Sequence, residues 1–328
     1  MTVTARAYPP LGAIDVAPSQ NGGRASARSP EQVLQLVRLH AATLDDLERS
    51  RKALGNRVGA ALRSSGIPKG QAKRIVQAVQ QFGSEALTGE DMLALTTFGL
   101  NDVFASFHAT VELEERVETM LIRSWRQHPM APWAKSVSGV GEKSIARLVS
   151  EIGDPLVRVI GEWQGEGEAR SWVETGREPR TFAQLCAYVG HGDARRRKRQ
   201  GMSQDEAFRL GNPAAKMRVY LIAEAGMKGA CRTCRLASRQ RKEEGEVAYA
   251  PPPAGCTCAE THPLRHAYNV ARAKYATRLH TEEDAPRTLN PGDPWAAAHQ
   301  HAAAMRFVGK AFLKLLWKEA NKGGSTCP

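Results

Sequence analysis

Apolar side chains recur every three to four residues over two long stretches of the chain, which is the spacing of one helix face. The first stretch begins at Ser29-Pro30-Glu31, where an N-cap residue, a proline and an acid favour a helix start. The second covers residues 101–127. We therefore predict two long helices, 30–64 and 101–127, that pair antiparallel in the manner of a coiled coil or as part of a plain helical bundle.

The rest of the chain carries shorter helical patterns, at 69–82, 88–98, 183–189, 214–225 and 294–320. Residues 159–178, which are rich in Gly, Glu and Trp, show no clear strand alternation, and we interpret them as an insertion or a loop.

These patterns predict a mainly α-helical protein with three parts. We expect a disordered segment at 1–28, a helical coiled-coil region at 29–130, and a compact helical domain at 131–322 that contains a helix-hairpin-helix and a cysteine-rich insertion at about 229–262.

Charge points to a polyanionic partner. The 328 residues include 46 Lys and Arg against 34 Asp and Glu, a net charge of +12. Such an excess favours nucleic acid, although a basic protein without that partner is the alternative. No apolar run is long enough for a membrane span, and residues 1–28 lack the apolar core of a signal peptide. We expect a cytoplasmic, nucleoid-associated protein without a membrane contact.

The segment Ser138–Leu148 (SGVGEKSIARL) has the pattern of a helix-hairpin-helix, a module that holds a nucleic-acid backbone. Its two glycines precede a helix whose free N–H groups favour phosphate. The alternative is an ordinary glycine loop that caps an amphipathic helix. The predicted backbone contacts are Gly139, Gly141, Lys143, Ser144 and Arg147.

Five consecutive cations form a second candidate nucleic-acid contact. They are Arg195, Arg196, Arg197, Lys198 and Arg199. A run of this kind is attracted to phosphates, but it is also typical of a solvated loop.

Four cysteines form a CxxC pair and a CxC pair, a spacing that can close a tetrahedral zinc site. The predicted ligands are Cys231, Cys234, Cys256 and Cys258. The segment between the pairs is too polar for a core of its own, which a structural zinc ion would remedy. The alternative is four reduced surface thiols on a disordered loop.

Several segments, taken in order, resemble one known family. They are 133–155 with its glycine motif, LCAYVG at 185–190, a basic loop, and LGNP at 210–213 followed by a helix. This order resembles the C-terminal domain of the DEDD-type insertion-sequence transposases of family one hundred and ten, the bridge-RNA-guided recombinases. Residues 47–66 are similar to that family's coiled coil, and 299–317, with His299 and His301, to its closing helix.

The resemblance implies two kinds of catalytic residue, and the chain departs from both. Family members have a RuvC-like nuclease domain with four metal-binding acids, of which Asp15 matches the first. Only 13 residues separate Asp15 from Ser29, so the other three acids have no place. The family also uses a serine nucleophile before a glycine in the basic loop. Here that dipeptide is Gln200-Gly201, and Ser203 is the candidate nucleophile if the register differs.

Three functional hypotheses follow. The leading one is a DNA-binding transposase-family protein that acts in transposition or recombination without its own nuclease domain. The alternative is a non-catalytic, transposon-derived accessory protein that binds DNA or a structured guide RNA. The third is a serine recombinase that uses Ser203. For each, the coiled coil predicts a homo-oligomer.

Overall fold

A computed structural model describes residues 28–82, 87–97, 99–165, 171–192, 201–203, 206, 210–245, 251–282 and 290–322. Within these ranges the chain is mainly helical with one two-stranded sheet, which confirms the predicted fold class. Segment 1–27, including Asp15, and the run from Arg195 to Arg199 lie outside the described residues. The chain divides into two compact units between Gln127 and His128.

The first unit contains α1 (Pro30–Ser64), α2 (Lys69–Phe82), α3 (Gly89–Thr97) and α4 (Asn101–Trp125). The second unit contains α5 (Ala131–Ser136), α6 (Glu142–Ile152), β1 (Val157–Gln164), β2 (Ser171–Pro179), α7 (Phe182–Tyr188), α8 (Pro213–Lys228), α9 (Arg232–Glu243), α10 (Cys258–Thr261), α11 (Pro263–Ala276) and α12 (Ala297–Lys322). Among the described helices, none combines the length and apolar character that crossing a bilayer requires.

Helix α1 begins where its capping residues predict. The hydroxyl of Ser29 accepts a hydrogen bond from the Gln32 backbone N–H at 3.2 Å, and the Gln32 side-chain oxygen accepts one from the Ser29 N–H at 2.9 Å. This reciprocal capping box satisfies two N–H groups that have no partner within the helix. Pro30 occupies the first turn, where its missing N–H is not needed.

Helices α1 and α4 pack antiparallel. His40 Nδ1 lies 3.1 Å from the Ser124 hydroxyl, and Arg51 Nε donates to Glu114 Oε2 at 2.6 Å. A Cβ on Gly55 would lie 3.2 Å from the Phe107 ring. In these three contacts the residue number increases along α1 while it decreases along α4, as it does in antiparallel helices. The buried apolar positions of the pair are Val37, Leu44, Val58, Leu62, Phe107, Val111, Val117 and Leu121. A supercoil of the coiled-coil type stays a prediction.

The second unit is built around α12. This helix packs against α7, α8 and α11, and α8 also packs against α6. The core positions on these helices are Ile145, Leu148, Leu185, Val219, Ile222, Leu264, Val308, Phe312, Leu313 and Leu316.

The prediction of a loop at 159–178 is wrong, because β1 and β2 pair as an antiparallel hairpin between α6 and α7, and the alternative of an insertion is not tested. Val157 pairs with Pro179, and a bulge interrupts the register between Ile160 and Gly161. The side chain of Val159 is 41% exposed, so the hairpin does not bury a clean apolar face. The bulge also breaks the period of two by which a strand is recognised in sequence.

Candidate metal centre and nucleic-acid interface

Four cysteine sulfurs converge at one point of the second unit. Cys231 precedes α9 and Cys234 lies in its first turn, whereas Cys256 and Cys258 come from the start of α10. All four sulfur atoms lie within 4.8 Å of one another. Cys234 Sγ is 3.3 Å from Cys256 Sγ and 3.7 Å from Cys258 Sγ. Zn–S bonds of about 2.3 Å at tetrahedral angles separate sulfurs by about 3.8 Å, so the cluster fits a metal ion of that size.

Backbone N–H groups point at these sulfurs. The Cys231 N–H donates to Cys258 Sγ at 3.4 Å, and the Cys258 N–H to Cys256 Sγ at 3.5 Å. Hydrogen bonds from the Cys234 backbone lower the pKa of Cys231 to about 5. Burial instead raises the pKa values of Cys234 and Cys258. All four sulfurs can be thiolates at this distance only if a cation balances their charge, and a divalent metal would do so.

Little else holds this part of the chain. The buried residues around the sulfurs are Ala230 and three of the cysteines themselves, and Cys234 is the buried residue of α9. The Thr233 hydroxyl adds one hydrogen bond to the Gly255 carbonyl, at 3.4 Å. The sulfur cluster therefore occupies the position that an apolar core has elsewhere in the protein.

The glycine segment joins α5 to α6 and has two different glycines. Gly139 has φ +80°, and a Cβ there would lie 3.3 Å from Gly229 Cα and 3.4 Å from the Ala225 carbonyl oxygen. Because Gly139 has no side chain, the glycine segment can pack closely against the end of α8. Gly141 is the N-cap of α6, is exposed, and has open space where its Cβ would be. Of the two, Gly141 is the one at which a ligand can approach the backbone.

The side chains predicted with this segment do not share one exposed face. Lys143 and Ser144 are half-buried, but Arg147 is only 6% exposed. Helix α6 also buries Ile145, Ala146, Leu148 and Val149, so it is enclosed on more than one side. The burial of Arg147 disfavours its predicted phosphate contact, which stays a prediction.

Three cations lie around His191, shortly before the basic run. Lys310 Nζ donates to the carbonyl of Gly192 at 3.4 Å, and a Cβ on Gly190 would lie 3.0 Å from the Lys216 side chain. His191 itself is buried, and a Cβ on Gly309 would lie 2.7 Å from its Nε2. Burial, followed by the charges of Arg306, Lys216 and Lys310, lowers the pKa of His191 to about 4. At neutral pH the positive charge of this region therefore resides on the lysines and Arg306.

Ser203 is exposed and acts as a capping residue. Its hydroxyl accepts a hydrogen bond from the Glu206 N–H at 3.2 Å, and Glu206 Oε2 accepts one from the Ser203 N–H at 2.8 Å. The glutamate carboxylate thus faces the serine backbone, not its hydroxyl. A serine nucleophile needs a base that can take its proton, and this contact does not provide one.

The two histidines of the closing helix make packing contacts. The His299 ring stacks on Trp295 with centroids 4.0 Å apart and planes 3° apart. His301 Nδ1 lies 2.9 Å from the Tyr268 hydroxyl. His301 therefore connects α12 to α11, whereas His299 packs on the residues directly before α12.

The structure adds a cationic surface that the sequence interpretation missed. It consists of exposed positions on α9, namely Arg232, Arg235, Arg239 and Lys242, which we call the α9 stripe. Their spacing of three, four and three residues is visible in the sequence. The segment has no apolar period that would indicate a helix, so the spacing alone does not predict a common face.

Comparison of the chain with protein-family models, curated proteins and solved structures finds no match. The resemblance to transposases therefore stays a hypothesis that depends on the motifs alone.

Proposed function

We propose that this protein binds DNA through its second unit and acts in DNA transposition or recombination without cutting DNA itself. One observation carries the proposal: Lys216, Arg306 and Lys310, from two helices, lie around His191. His191 itself lies four residues before the run Arg195–Arg199 in sequence. Cations on rigid helices attract phosphodiesters independently of base sequence. The net charge of +12 supports the same partner.

Salt dependence of binding tests this proposal. We would measure the affinity for a 30-base-pair duplex by fluorescence anisotropy over a series of salt concentrations. Replacement of Lys216, Arg306 and Lys310 by glutamine should lower the slope of log affinity against log salt by about 0.9 for each phosphate that is no longer neutralised. Replacement of Lys314, Lys318 and Lys322, all on α12, removes equal charge and should change the slope less. Equal slopes in both variants would contradict the proposal.

The basic run has a separate test. Alanine at all five positions from Arg195 to Arg199 should weaken duplex binding at 150 mM salt and reduce the salt slope. Unchanged affinity would assign the run to a solvated surface and leave binding to the cations around His191.

We further propose that the metal of the four-cysteine cluster is zinc. A set of four thiolates in tetrahedral arrangement is the usual structural site for Zn²⁺. Elemental analysis of protein purified without added metal should give one zinc per chain. Alkylation provides the control, because Cys186, buried in α7, should react equally slowly with and without metal. The four cluster thiols should react only after chelation, and rapid alkylation of all four beforehand would contradict a metal site.

The alternative function, a non-catalytic accessory protein, is favoured by the contacts of Ser203. Its hydroxyl and the Glu206 carboxylate are both engaged in a capping box. We expect no covalent adduct on a suicide DNA substrate. An adduct that disappears in Ser203→Ala would establish recombinase chemistry instead. The same binding assay with a structured RNA tests the guide-RNA form of this alternative, which predicts tighter RNA than DNA binding.

Self-association is the last part of the proposal. Helix α4 exposes Leu113 and Met120, which are seven residues apart and therefore share one side of the helix, at the edge of its buried seam. A second copy of the α1–α4 pair is the proposed partner of this side. Sedimentation velocity should show a dimer or larger species that Leu113→Glu disrupts. A monomer at micromolar concentration would contradict it.

A further inference from the structure

Helix α9 combines high positive charge with almost no apolar packing. Its twelve residues contain five cations and one glutamate, and Cys234 is its buried residue. A helix that buries so little gains little from tertiary packing. Its position is therefore set by the two cysteines at its N-terminal end.

The α9 stripe lies along one side of this helix. Spacings of three and four residues bring side chains onto a common face. Ten residues separate Arg232 from Lys242, so the stripe is about 15 Å long at 1.5 Å per residue. Cys234, whose sulfur belongs to the cluster, and the half-buried Arg241 lie on the other side of the helix. The metal centre thus anchors one side of α9, and the stripe occupies the solvent side.

The α9 stripe carries positive charge that the described part of the chain does not neutralise. Among the described residues, no hydrogen bond or ion pair involves the side chains of Arg232, Arg235, Arg239 or Lys242. Like charges three and four residues apart destabilise a helix by a few tenths of a kcal/mol per pair. An arrangement that weakens its own helix and engages no carboxylate of the described residues is suited to an external polyanion.

We propose that the α9 stripe is a second contact to the backbone of double-stranded DNA and that it forms only when the four-cysteine cluster holds its metal. This inference rests on the proposed function, because it adds a surface to the same DNA-binding unit. It also gives the metal a functional role, since the ion fixes the orientation of α9 and through it the spacing of the four cations.

Helix chemistry favours duplex DNA over other polyanions. The twelve residues of α9 include no aromatic side chain, so the helix lacks the stacking contacts on which single-strand binding depends. The major groove of B-form DNA admits an α-helix, whereas that of A-form RNA is too narrow. A stripe of about 15 Å reaches two or more phosphates along a groove edge.

The test compares charge-matched variants of the full chain in the same anisotropy assay. A quadruple glutamine variant of the α9 stripe should lower the salt slope by about 0.9 for each phosphate released, with two to four phosphates expected. The control variant has glutamine in place of Lys52, Arg57, Lys314 and Lys318, which are exposed on α1 and α12. Its salt slope should be larger than that of the stripe variant. A variant with lysine at the three arginine positions keeps the charge and should retain most of the slope. Circular dichroism and zinc content of every variant show that the fold is retained.

Metal removal supplies the second arm. Chelation should reduce the salt slope of the unmodified protein to that of the stripe variant and should have no further effect on the stripe variant itself. Additive losses would mean that the metal and the stripe act independently, which would overturn the inference.

Three other outcomes would also overturn it, and they are distinguishable. If the unmodified protein binds duplex DNA and the stripe variant has the same slope, the inference fails while the proposed function stands. If the unmodified protein binds no duplex, the proposed function fails and the inference with it. Stripe-dependent binding that is tighter to an RNA duplex of equal length would replace DNA as the ligand.

Discussion

The α1–α4 pair and the four-cysteine cluster are both formed around helices, but different forces hold them. The helix pair buries a continuous apolar seam that includes Leu44, Val58 and Phe107. The cluster buries Ala230 and cysteines, with the polar helix α9 beside it. One region is stable because apolar surface leaves water, and the other because sulfurs converge where a metal can bind. The two regions should therefore respond to different perturbations.

The largest difference should come from metal removal. Zinc binding contributes about 10–16 kcal/mol in small zinc-finger peptides, and such folding energy is lost on chelation. We expect α9 and residues 251–261 to lose protection from hydrogen exchange, while α1 and α4 keep theirs. Exchange mass spectrometry with and without chelator measures both regions in one sample. Equal protection of α9 in the two states would show that packing holds it.

A cavity in the apolar seam should destabilise the α1–α4 pair and leave the four-cysteine cluster unaffected. Phe107 is 1% exposed and contacts α1 at Gly55, so Phe107→Ala should lower the free energy of unfolding of the first unit by about 3–5 kcal/mol. Leu236→Ala on α9 is the matched control, because Leu236 is 53% exposed and should cost less than about 0.5 kcal/mol. Urea unfolding followed by circular dichroism measures both. Zinc content should be unchanged in each variant.

Acidification should weaken the second unit through His191. Burial lowers its pKa from 6.5 to about 4, so the folded protein resists a proton that the unfolded chain accepts. The resulting stability is complete above pH 6.5 and is lost as the pH falls toward 4, to a total of about 3 kcal/mol.

Burial also lowers the pKa of His128, in the second unit, to about 4. In the first unit, burial lowers the pKa of the half-buried His40. The second unit should therefore show the steeper loss. Thermal unfolding between pH 7 and 4.5, with zinc content checked at each pH, measures it. An equally steep loss in His191→Asn would assign the effect to other groups.

The smallest effect concerns the ion pair within the apolar seam. Arg51 donates to Glu114 at 2.6 Å, and the two side chains are 14% and 15% exposed. Glu114→Gln keeps the shape but removes a charged acceptor, and should cost about 1.5–3 kcal/mol. Glu112→Gln, at an exposed position, is the control, and its loss of unfolding free energy should be near zero. Chemical unfolding of both variants at low and high salt measures the difference, which should persist at high salt because the pair is shielded.

The long helices were predictable because several local signals agreed. At α1 the cap at Ser29, the proline after it and the apolar spacing all indicate one helix, and the structure ends it at Ser64 as expected. Helix α4 ends at Trp125, two residues before the predicted end. The four cysteines were also identified by spacing, and the structure places them together.

The missed elements lacked such agreement. Helix α9 has almost no apolar residues, so its periodicity appears only in its charges. Helix α11 is different, because its buried residues Leu264, Ala267, Tyr268 and Ala271 keep the spacing of one apolar helix face, and the sequence analysis overlooked it. The hairpin exposes its apolar residues on a bulged strand. Periodicity detects a face that is buried against a core, and neither α9 nor the hairpin presents one clearly.

By itself the sequence determined the helical class, the ends of the capped helices, the positive charge and the set of candidate metal ligands. These follow from periodicity, capping and composition, which are local properties of the chain. Only the tertiary structure decided that Arg147 is buried, that Gly139 serves packing against α8, and that the cations of α9 share an open side. Those outcomes depend on which face of each helix meets a neighbour, and segments far apart in sequence determine that packing.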